Sequence, residues 1–274
     1  MKKGIKWKFA ASSFQLTPLF PLPLYLSIVW LRTEQNTKAK LFFPLCLLSA
    51  AKSTMAAVAP VKVYGPPLST AVSRVLACLI EKDVAFQLVP VSMAKGEHKK
   101  PDFLKLQPFG QVPAFQDDSI SLFESRAICR YICEKYPDKG NTALYPANPL
   151  AKASVDQWLE AESQSFNPPS GVLVFQLAFA PRMKIPQDPK AIKLNQDKLK
   201  KVLDVYEKRL SESKFLAGDE FSLADLSHLP NADYLVDVAG KGEVFGSREN
   251  VGRWWEEISG REAWNKVKEL RKSA

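Results

Sequence analysis

Histidine and cysteine are scarce in this chain of 274 residues, which contains two histidines and four cysteines. Neither His98 nor His228 stands at metal-ligand spacing from a cysteine, so the sequence offers no metal site. Cys129 and Cys133 lie one helical turn apart, and Cys78 falls within another helical pattern. Buried cysteines in such positions act as small hydrophobic side chains. We therefore expect no metal, no disulfide scaffold and a reducing, cytoplasmic location.

Residues 1–54 contain no hydrophobic run long enough to cross a membrane. The apolar stretch Leu19–Leu31 has only 13 residues and includes Pro21 and Pro23, whereas a bilayer span needs about 20. Lysines precede this stretch, as in a signal peptide, but the cleavage-like Leu48–Ala50 lies too far along the chain. We expect no stable membrane insertion and interpret residues 1–54 as a disordered extension or a gene-model artefact. An organelle-targeting segment and a membrane anchor are the alternatives.

Acidic residues are outnumbered, with 29 Asp and Glu against 38 Lys and Arg, which gives a formal net charge of +9. Most of this excess belongs to residues 1–54, which carry eight basic side chains and one acidic one. The remaining residues are therefore nearly neutral, with a net charge of +2. A nearly neutral folded part lacks the basic surface that nucleic-acid binding requires, so we expect no nucleic-acid partner.

The order of the patterned segments predicts two domains of different kinds. An apolar strand pattern at Val61–Tyr64 precedes a helical pattern at Ser69–Lys82. A second strand, a short helix, a hairpin and a closing helix then follow, at Phe86–Val91, Pro101–Leu106, Val112–Phe123 and Ser125–Lys135. Only helical patterns come after these, such as Lys190–Leu210. We predict an α/β plus all-α fold, with a thioredoxin-like domain over 55–136, a linker over 137–148 and an all-helical domain over 149–274.

The segment LQPFGQVPAFQDDSISLFESRAI is the most informative part of the chain. Two apolar runs joined by the turn-prone Gln116–Ser119 predict the hairpin, and Pro113 leaves the backbone near Val112 outside the sheet ladder. The second strand runs into Glu124 and Ser125 at a helix start, where backbone N–H groups attract a carboxylate or phosphate. A free strand edge beside an anion-binding helix start suits a small, extended, anionic peptide.

Three separated segments resemble the plant phi-class glutathione transferases. They are VKVYGPPLSTAVSRVL, then QPFGQVPAFQD followed by LFESRAI, and finally FLAGDEFSLADLSHLP. They follow the order and spacing of that family from Val61 to the C-terminus. The resemblance implies an N-terminal thioredoxin-like domain, a C-terminal helical bundle and a homodimer. It also implies an enzyme of detoxification and stress response that joins the thiolate of its co-substrate, glutathione, to hydrophobic electrophiles, with glutathione-dependent peroxidase activity beside it.

Ser69 is the candidate catalytic residue, because it corresponds to the catalytic serine of the family by its distance from KVYG and from Arg74. The thiolate is the reactive form of glutathione, and a hydroxyl that donates to it at a helix start lowers the thiol pKa. An N-cap role for Ser69 is the alternative and is compatible with catalysis. Thr70, which we place among the glutathione-binding residues, is its closest competitor, and Ser73 lies one turn further along.

The resemblance also assigns the glutathione contacts that precede the hairpin. His98 and Lys99 correspond to the pair that binds the glycyl carboxylate, for which two donors are suited. A solvated Lys/His loop is the alternative at this position. Gln111 and Val112 would pair with the backbone of the cysteinyl residue, with Pro113 in the cis form.

The remaining contacts lie on the helix after the hairpin and around the second substrate. Glu124 and Ser125 would hold the amine and carboxylate of the γ-glutamyl group, while Arg126 would support this helix. For the electrophile, we predict a pocket walled by Leu68 of the first loop and Phe166 of a later helix. A role in the core explains Phe166 equally well.

Two further segments carry structural predictions. Ser222 and Asp225 are spaced as a helix-capping box, with Phe221 and Leu226 flanking them. Phe109, in a Pro-Phe-Gly turn, is a candidate anchor of the homodimer. The alternatives for Phe109 are that it folds onto its own core or that it covers glutathione.

The functional alternative to the transferase is a low-turnover carrier of planar hydrophobic compounds such as flavonoids. A carrier has no need of the thiolate-stabilising hydroxyl of Ser69, which therefore favours the enzyme. A thioredoxin-type oxidoreductase or a dehydroascorbate reductase requires a cysteine where Ser69 stands.

Overall fold

The computed structural model describes residues 60–273. Its N-terminal part is built around a sheet with strands in the order β2-β1-β3-β4. The strands are β1 Val61–Tyr64, β2 Phe86–Val89, β3 Ala114–Gln116 and β4 Ser121–Phe123. β1 is parallel to β2 and antiparallel to β3, and β4 is antiparallel to β3. The parallel pair requires a crossover, supplied by helix α1 (Thr70–Glu81), and the pair β3–β4 confirms the predicted hairpin.

Helix α1 packs against helix α3 (Ser125–Lys135). On α1, apolar residues at helical spacing are buried, namely Val72, Val75, Leu76 and Leu79. On α3, Ile128 and Ile132 are buried, and both helices share one core with Val63 and Phe115 of the sheet. Burial of each such side chain contributes about 1.5–3 kcal/mol. This core fixes the starts of α1 and α3 relative to the sheet.

The cysteines of these helices lie in the same core. Cys78 of α1 and Cys133 of α3 have their sulfur atoms 3.9 Å apart, and Cys129 is also buried. Burial raises the pKa of the Cys78 thiol. The three thiols therefore pack as small hydrophobic groups, as the sequence predicts.

Two short helical segments connect β2 to β3. They are a 3₁₀ turn at Glu97–Lys99 and α2 at Pro101–Leu104. β2 ends at Val89, two residues earlier than predicted, because Pro90 has no N–H to give to a sheet ladder. β3 begins at Ala114, two residues later than predicted, because Pro113 has no N–H for the ladder. β4 begins at Ser121, one residue later than predicted, since the amide of Ile120 bonds to the Asp117 carboxylate in the turn.

The C-terminal part is a bundle of helices. They are α4 Pro149–Ala161, α5 Asn167–Val174, α6 Ala180–Arg182, α7 Pro189–Leu210, α8 Leu223–Leu226, α9 Leu229–Asp233, α10 Glu243–Gly246, α11 Glu249–Ser259 and α12 Glu262–Lys272. π-helical turns at Glu162–Phe166 and Phe175–Phe179 make α4, α5 and α6 one uninterrupted helical run. The predicted fold, a thioredoxin-like α/β part followed by an all-helical part, is confirmed.

Helix α8 begins with the predicted capping box. The side chain of Ser222 and the carboxylate of Asp225 each cap the other's backbone N–H, and both residues are buried. The Asp225 carboxylate also accepts from the amide of Leu216 and from Nε1 of Trp254, at 3.0 and 2.9 Å. Burial raises the pKa of Asp225. The box therefore ties α8 to α11 and the preceding loop, a structural role.

The described residues contain neither a membrane-spanning helix nor a group of metal ligands. Among residues 60–273, no helix has both the length and the apolar character to span a bilayer. Within the same range, no three His, Cys, Asp or Glu side chains are grouped as metal ligands. The predictions made for residues 1–54 lie outside the described part of the chain.

Candidate active site

Three chain segments meet at one edge of the sheet. Tyr64, at the end of β1, pairs with Ala114 at the start of β3, which in turn pairs with Phe123 at the end of β4. The chain leaving β1, the chain entering β3 and the chain leaving β4 are therefore neighbours. Ser69 follows the first of these points and Ser125 follows the third. The topology thus gathers most of the sequence-predicted glutathione residues at a single edge.

Gly65 brings the first loop close to Val112. Its φ of +135° lies in the region that favours glycine, and a Cβ there would meet the Val112 Cβ at 2.9 Å and the Val72 Cγ2 at 2.8 Å. The peptide bond from Val112 to Pro113 is cis, as the resemblance implies. Val112 is half-buried beside the first loop, and Gln111 before it is exposed.

Ser69 occupies the N-cap of α1. Its Oγ accepts a long hydrogen bond of 3.5 Å from the Val72 amide, and the residue is half-buried. No residue in the range 60–273 accepts the Ser69 hydroxyl proton, so this proton can point at a ligand. Ser73 differs, because its hydroxyl donates to the Pro67 carbonyl at 2.6 Å and accepts from Arg271 at 3.0 Å. Thr70 is also half-buried and begins the helix proper.

Arg74 lies beneath the start of α3. Its Nη1 donates to the Ser125 Oγ at 2.8 Å, and its Nη2 and Nε donate to the Ser227 carbonyl at 3.2 and 3.3 Å. Burial, with a smaller contribution from Arg126, lowers the pKa of Arg74 to about 10, so the guanidinium is charged at neutral pH. Because arginine only donates, the Ser125 Oγ accepts from it and keeps its own proton for another partner. In the sequence analysis, Arg74 served only to locate Ser69 by its distance along the chain. The signal for its role is that it is the one charged residue among the buried residues of α1.

Glu124 joins β4 to α3 with a strained backbone. Its φ is +68° and its side chain is exposed. A non-glycine residue in such a conformation costs about 1–3 kcal/mol, and residues of this kind cluster at functional sites. Glu124 thus places an exposed side chain between the end of β4 and the buried Ser125.

Arg126 supports α3 from below, as predicted. Its Nε donates to Oε2 of Glu162 at 2.6 Å, and Glu162 is fully buried in the π-helical turn after α4. Arg74 approaches the other carboxylate oxygen of Glu162 at 3.7 Å. Two cations on one buried carboxylate hold the start of α3 against the helical part.

His98 and Lys99 reach the same edge through the turn before β3. The Lys99 Nζ donates to the Phe109 carbonyl at 3.1 Å. Gly110, with φ +58°, packs so closely that a Cβ would meet the Lys99 Cδ at 2.7 Å and the His98 carbonyl at 2.9 Å. Within residues 60–273, the buried Nδ1 of His98 has no hydrogen-bond partner. The Lys99 side chain and the His98 backbone thus lie beside the turn that leads into Gln111.

The two predicted pocket residues have different environments. Leu68 is exposed and lines a cavity of about 340 Å³ with Tyr234, whose hydroxyl donates to the Leu68 carbonyl at 2.7 Å. Phe166 is fully buried, in contact with the rings of Tyr206 and His228. The prediction that Phe166 walls the electrophile pocket is therefore wrong. Its helical spacing is that of a core residue, which is the alternative that the sequence left open.

Comparison with known proteins agrees with this geometry. Residues 59–134 match the family model "Glutathione S-transferase, N-terminal domain", and residues 172–262 match "Glutathione S-transferase, C-terminal domain". A glutathione S-transferase of Hyoscyamus muticus is 48% identical over 210 residues, which are 77% of this chain and 98% of that protein. Glutathione S-transferase F9 of Arabidopsis thaliana is 48% identical over 75% of this chain and 95% of its own length.

Solved structures give the same result. The crystal structure of glutathione transferase F2 from Populus trichocarpa is 73% identical, with a TM-score of 0.78, over 78% of this chain and all of that one. Glutathione S-transferase I from maize, in complex with an atrazine glutathione conjugate, is 38% identical with a TM-score of 0.73, over 79% of this chain and all of that one. The chain belongs to the glutathione S-transferase family and, within it, to the plant phi class. The family and the enzyme class predicted from the sequence are confirmed.

Proposed function

We propose that this protein joins the sulfur of glutathione to hydrophobic electrophiles, with Ser69 stabilising the thiolate. The observation that carries the proposal is the uncommitted hydroxyl of Ser69 at the start of α1, beside the sheet edge that holds Val112 and Ser125. In the reaction the thiol first loses its proton to solvent. The thiolate then forms a carbon–sulfur bond, and a leaving group such as chloride departs with the bonding electrons.

The hydroxyl of Ser69 acts on the first of these steps. A free thiol has a pKa of roughly 8.5, so little of it is ionised at neutral pH. A donor to the sulfur anion, together with the start of α1, favours the ionised form. Each unit by which the thiol pKa falls corresponds to about 1.4 kcal/mol. Thr70 lies next to Ser69 and is proposed as a second contact to glutathione.

The γ-glutamyl end of glutathione fits the start of α3. The Ser125 hydroxyl, which accepts from Arg74, is left to donate to the α-carboxylate, and the amides at the helix start add further donors. The exposed carboxylate of Glu124 is suited to the ammonium group. The positive charge of Arg74 directly beneath Ser125 also favours an anion there.

The rest of glutathione would follow the sheet edge. We propose that Gln111 and the backbone of Val112 pair with the cysteinyl residue, since Pro113 has no N–H for the sheet ladder and β3 begins only at Ala114. The glycyl carboxylate would then reach His98 and Lys99, since the Lys99 side chain and the His98 backbone adjoin the turn before Gln111. Leu68, next to Ser69 on the first loop, would contact the electrophile.

A conjugation assay of the full chain tests this function. We expect it to form the glutathione conjugate of 1-chloro-2,4-dinitrobenzene, followed by absorbance, and to bind immobilised glutathione. The Ser125→Ala variant should raise the KM for glutathione because it removes a donor to the γ-glutamyl carboxylate. No turnover and no retention on glutathione would contradict the proposal.

We also propose that the protein is a homodimer, as its family resemblance implies, in the reducing cytoplasm, where it detoxifies electrophiles under stress. Phe109 supports the dimer, because its side chain is 64% exposed and touches only the edge of Phe123 among aromatic rings of residues 60–273. Light scattering should give twice the monomer mass, and Phe109→Ala should weaken the association. A dimer unaffected by this change would remove Phe109 from the interface, and a clean, fully active monomer would exclude the dimer.

We also propose the domain limits predicted from the sequence, with boundaries after residues 54, 136 and 148.

A further inference from the structure

A cavity of about 340 Å³ opens beside the first loop, next to the residue proposed to hold the thiolate. Leu68, immediately before Ser69, is on its wall, and Tyr234 is fixed to this wall by the hydrogen bond to the Leu68 carbonyl. Val238 supplies a second apolar surface. An electrophile seated here would therefore lie close to the sulfur that attacks it.

The charges of this cavity are unlike those of a purely hydrophobic pocket. Four of its lining side chains are cations, Arg182, Lys268, Arg271 and Lys272, against one carboxylate, Asp233. Asp233 is engaged by Arg271 at 2.6 Å. Among residues 60–273, Arg182 forms no ion pair, and it is exposed at the cavity.

The side chains of Lys268 and Lys272 form only weak ion pairs within the protein, so they can also bind an anionic ligand. Lys268 lies 4.0 Å from Asp237, and Lys272 pairs with Glu269 at 2.8 Å in an exposed contact. Exposed pairs of this kind are weak, on the order of 0–1 kcal/mol, so they compete poorly with a ligand anion. The cavity therefore carries an excess of positive charge.

Arg271 provides a second, independent observation. Its side chain is only 8% exposed and lies between the rings of Tyr234 and Trp264, at 4.7 and 4.6 Å. Its Nη1 and Nε bond to Asp233 and Ser73, but Nη2 has no partner among the described residues. A buried donor without an acceptor is unfavourable, so a small movement of the guanidinium towards a carboxylate bound in the cavity would be favoured.

We propose that this cavity makes the enzyme selective for hydrophobic electrophiles that carry a carboxylate. The apolar body of the electrophile packs on Leu68 and Val238, and its carboxylate is held by Arg182, Lys268 and the guanidinium of Arg271. This inference rests on the proposed function, since it names the second substrate of the same site. Its charged contacts come from α6 and α12, and none of its residues is among those proposed to bind glutathione.

Ethacrynic acid and its methyl ester form a suitable pair of probes. Both are unsaturated ketones with the same reactive methylene carbon, and only the acid carries a charge. The thiolate forms a carbon–sulfur bond at the methylene, the double-bond electrons move towards the carbonyl oxygen, and a proton from water adds to the α-carbon. The ratio of kcat/KM for the acid to that for the ester therefore reports recognition of the carboxylate alone.

We expect this ratio to exceed that of the uncatalysed reactions and to fall as the ionic strength rises. Lys268→Gln and Arg182→Gln should each lower it about two- to fivefold, as the loss of one exposed charge contact predicts. Lys266→Gln is the matched control, because Lys266 is exposed on the same helix and is not part of the cavity wall. A ratio that is the same in all four proteins would overturn the proposal.

Failure of this inference is distinguishable from failure of the proposed function. If the variants conjugate 1-chloro-2,4-dinitrobenzene at the parent rate but keep the parent acid-to-ester ratio, only the carboxylate selectivity is wrong. If no electrophile is conjugated, the proposed function is wrong. Calorimetry with the unreactive dihydro derivative of ethacrynic acid then tests whether the cavity binds a carboxylate, independently of catalysis. Binding that weakens in Lys268→Gln but not in Lys266→Gln would support the carboxylate site, and equal binding would refute it.

Discussion

Nη1 of Arg74 and Oγ of Ser125 lie 2.8 Å apart, both buried, where the first helix passes beneath the start of α3. The same guanidinium donates to the carbonyl of Ser227 in the helical part of the chain. Arg74 therefore connects the proposed γ-glutamyl site to the packing of both parts of the molecule.

Arg74→Lys should raise the KM for glutathione several-fold and lower the free energy of unfolding by about 1–3 kcal/mol. Lysine keeps the charge but cannot make the three hydrogen bonds, and each bond to a charged group is worth about 1.5–3 kcal/mol. Steady-state kinetics and urea unfolding measure the two effects.

Ser125→Ala provides the matching half of a double-mutant cycle. In the Ser125→Ala background, Arg74→Lys should cause little further rise in the KM for glutathione, because the hydroxyl that it positions is gone. Fully additive effects on KM would mean that Arg74 acts on the fold and does not position Ser125.

The strained backbone of Glu124 gives a second prediction. Its φ of +68° suits glycine, so Glu124→Gly should be more stable than Glu124→Ala by about 1 kcal/mol. Both variants should bind glutathione more weakly than the parent, since each removes the carboxylate proposed to hold the ammonium group. Thermal unfolding and glutathione titration measure these quantities. An alanine variant as stable as the glycine variant would show that this backbone is not strained.

His228 is buried as a neutral side chain, and its burial makes the free energy of unfolding depend on pH. Its Nδ1 donates to the Ala224 carbonyl at 2.8 Å, so its Nε2 accepts from the Tyr206 hydroxyl at 2.9 Å. Burial lowers the pKa of His228 from 6.5 to about 3. Between these two pH values, the unfolded chain binds a proton at this residue that the folded chain does not.

Stability should therefore fall as the pH drops from 7.5 to 5, with roughly 1–2 kcal/mol of the loss due to His228. His228→Gln, which can still donate and accept, should show a smaller loss in urea unfolding across this pH range. His98→Gln removes the other histidine of the chain and is the reference. A flattened pH profile in the His98 variant in place of the His228 variant would contradict this assignment.

The sequence predicted the fold well wherever a local pattern decided it. The periodicity of Ser69–Lys82 and the turn chemistry of Gln116–Ser119 are local signals, and α1 and the hairpin appear where they indicated. The capping box at Ser222 is likewise a matter of spacing within four residues. Strand ends were less accurate, because proline and side-chain bonds in the turn shorten them.

Several residues of the candidate site could not be identified from the sequence alone. Arg74, Glu162 and Arg271 matter through partners that are far away along the chain, such as Ser227 for Arg74. Nothing in the local spacing pairs these residues. Phe166 shows the reverse error, because an aromatic residue on an apolar helical face looks the same whether it lines a pocket or fills a core. Only the three-dimensional packing distinguishes the two.

The most direct test of the central claim is an absorbance titration of the glutathione thiolate bound to the parent protein, to Ser69→Ala and to Thr70→Ala. We predict that the parent and Thr70→Ala hold the thiol pKa well below the free value of roughly 8.5. In Ser69→Ala this pKa should rise by about one to two units, with a ten- to hundredfold loss of turnover and little change in glutathione affinity. An unchanged pKa and an unchanged rate in Ser69→Ala would contradict the role assigned to this hydroxyl.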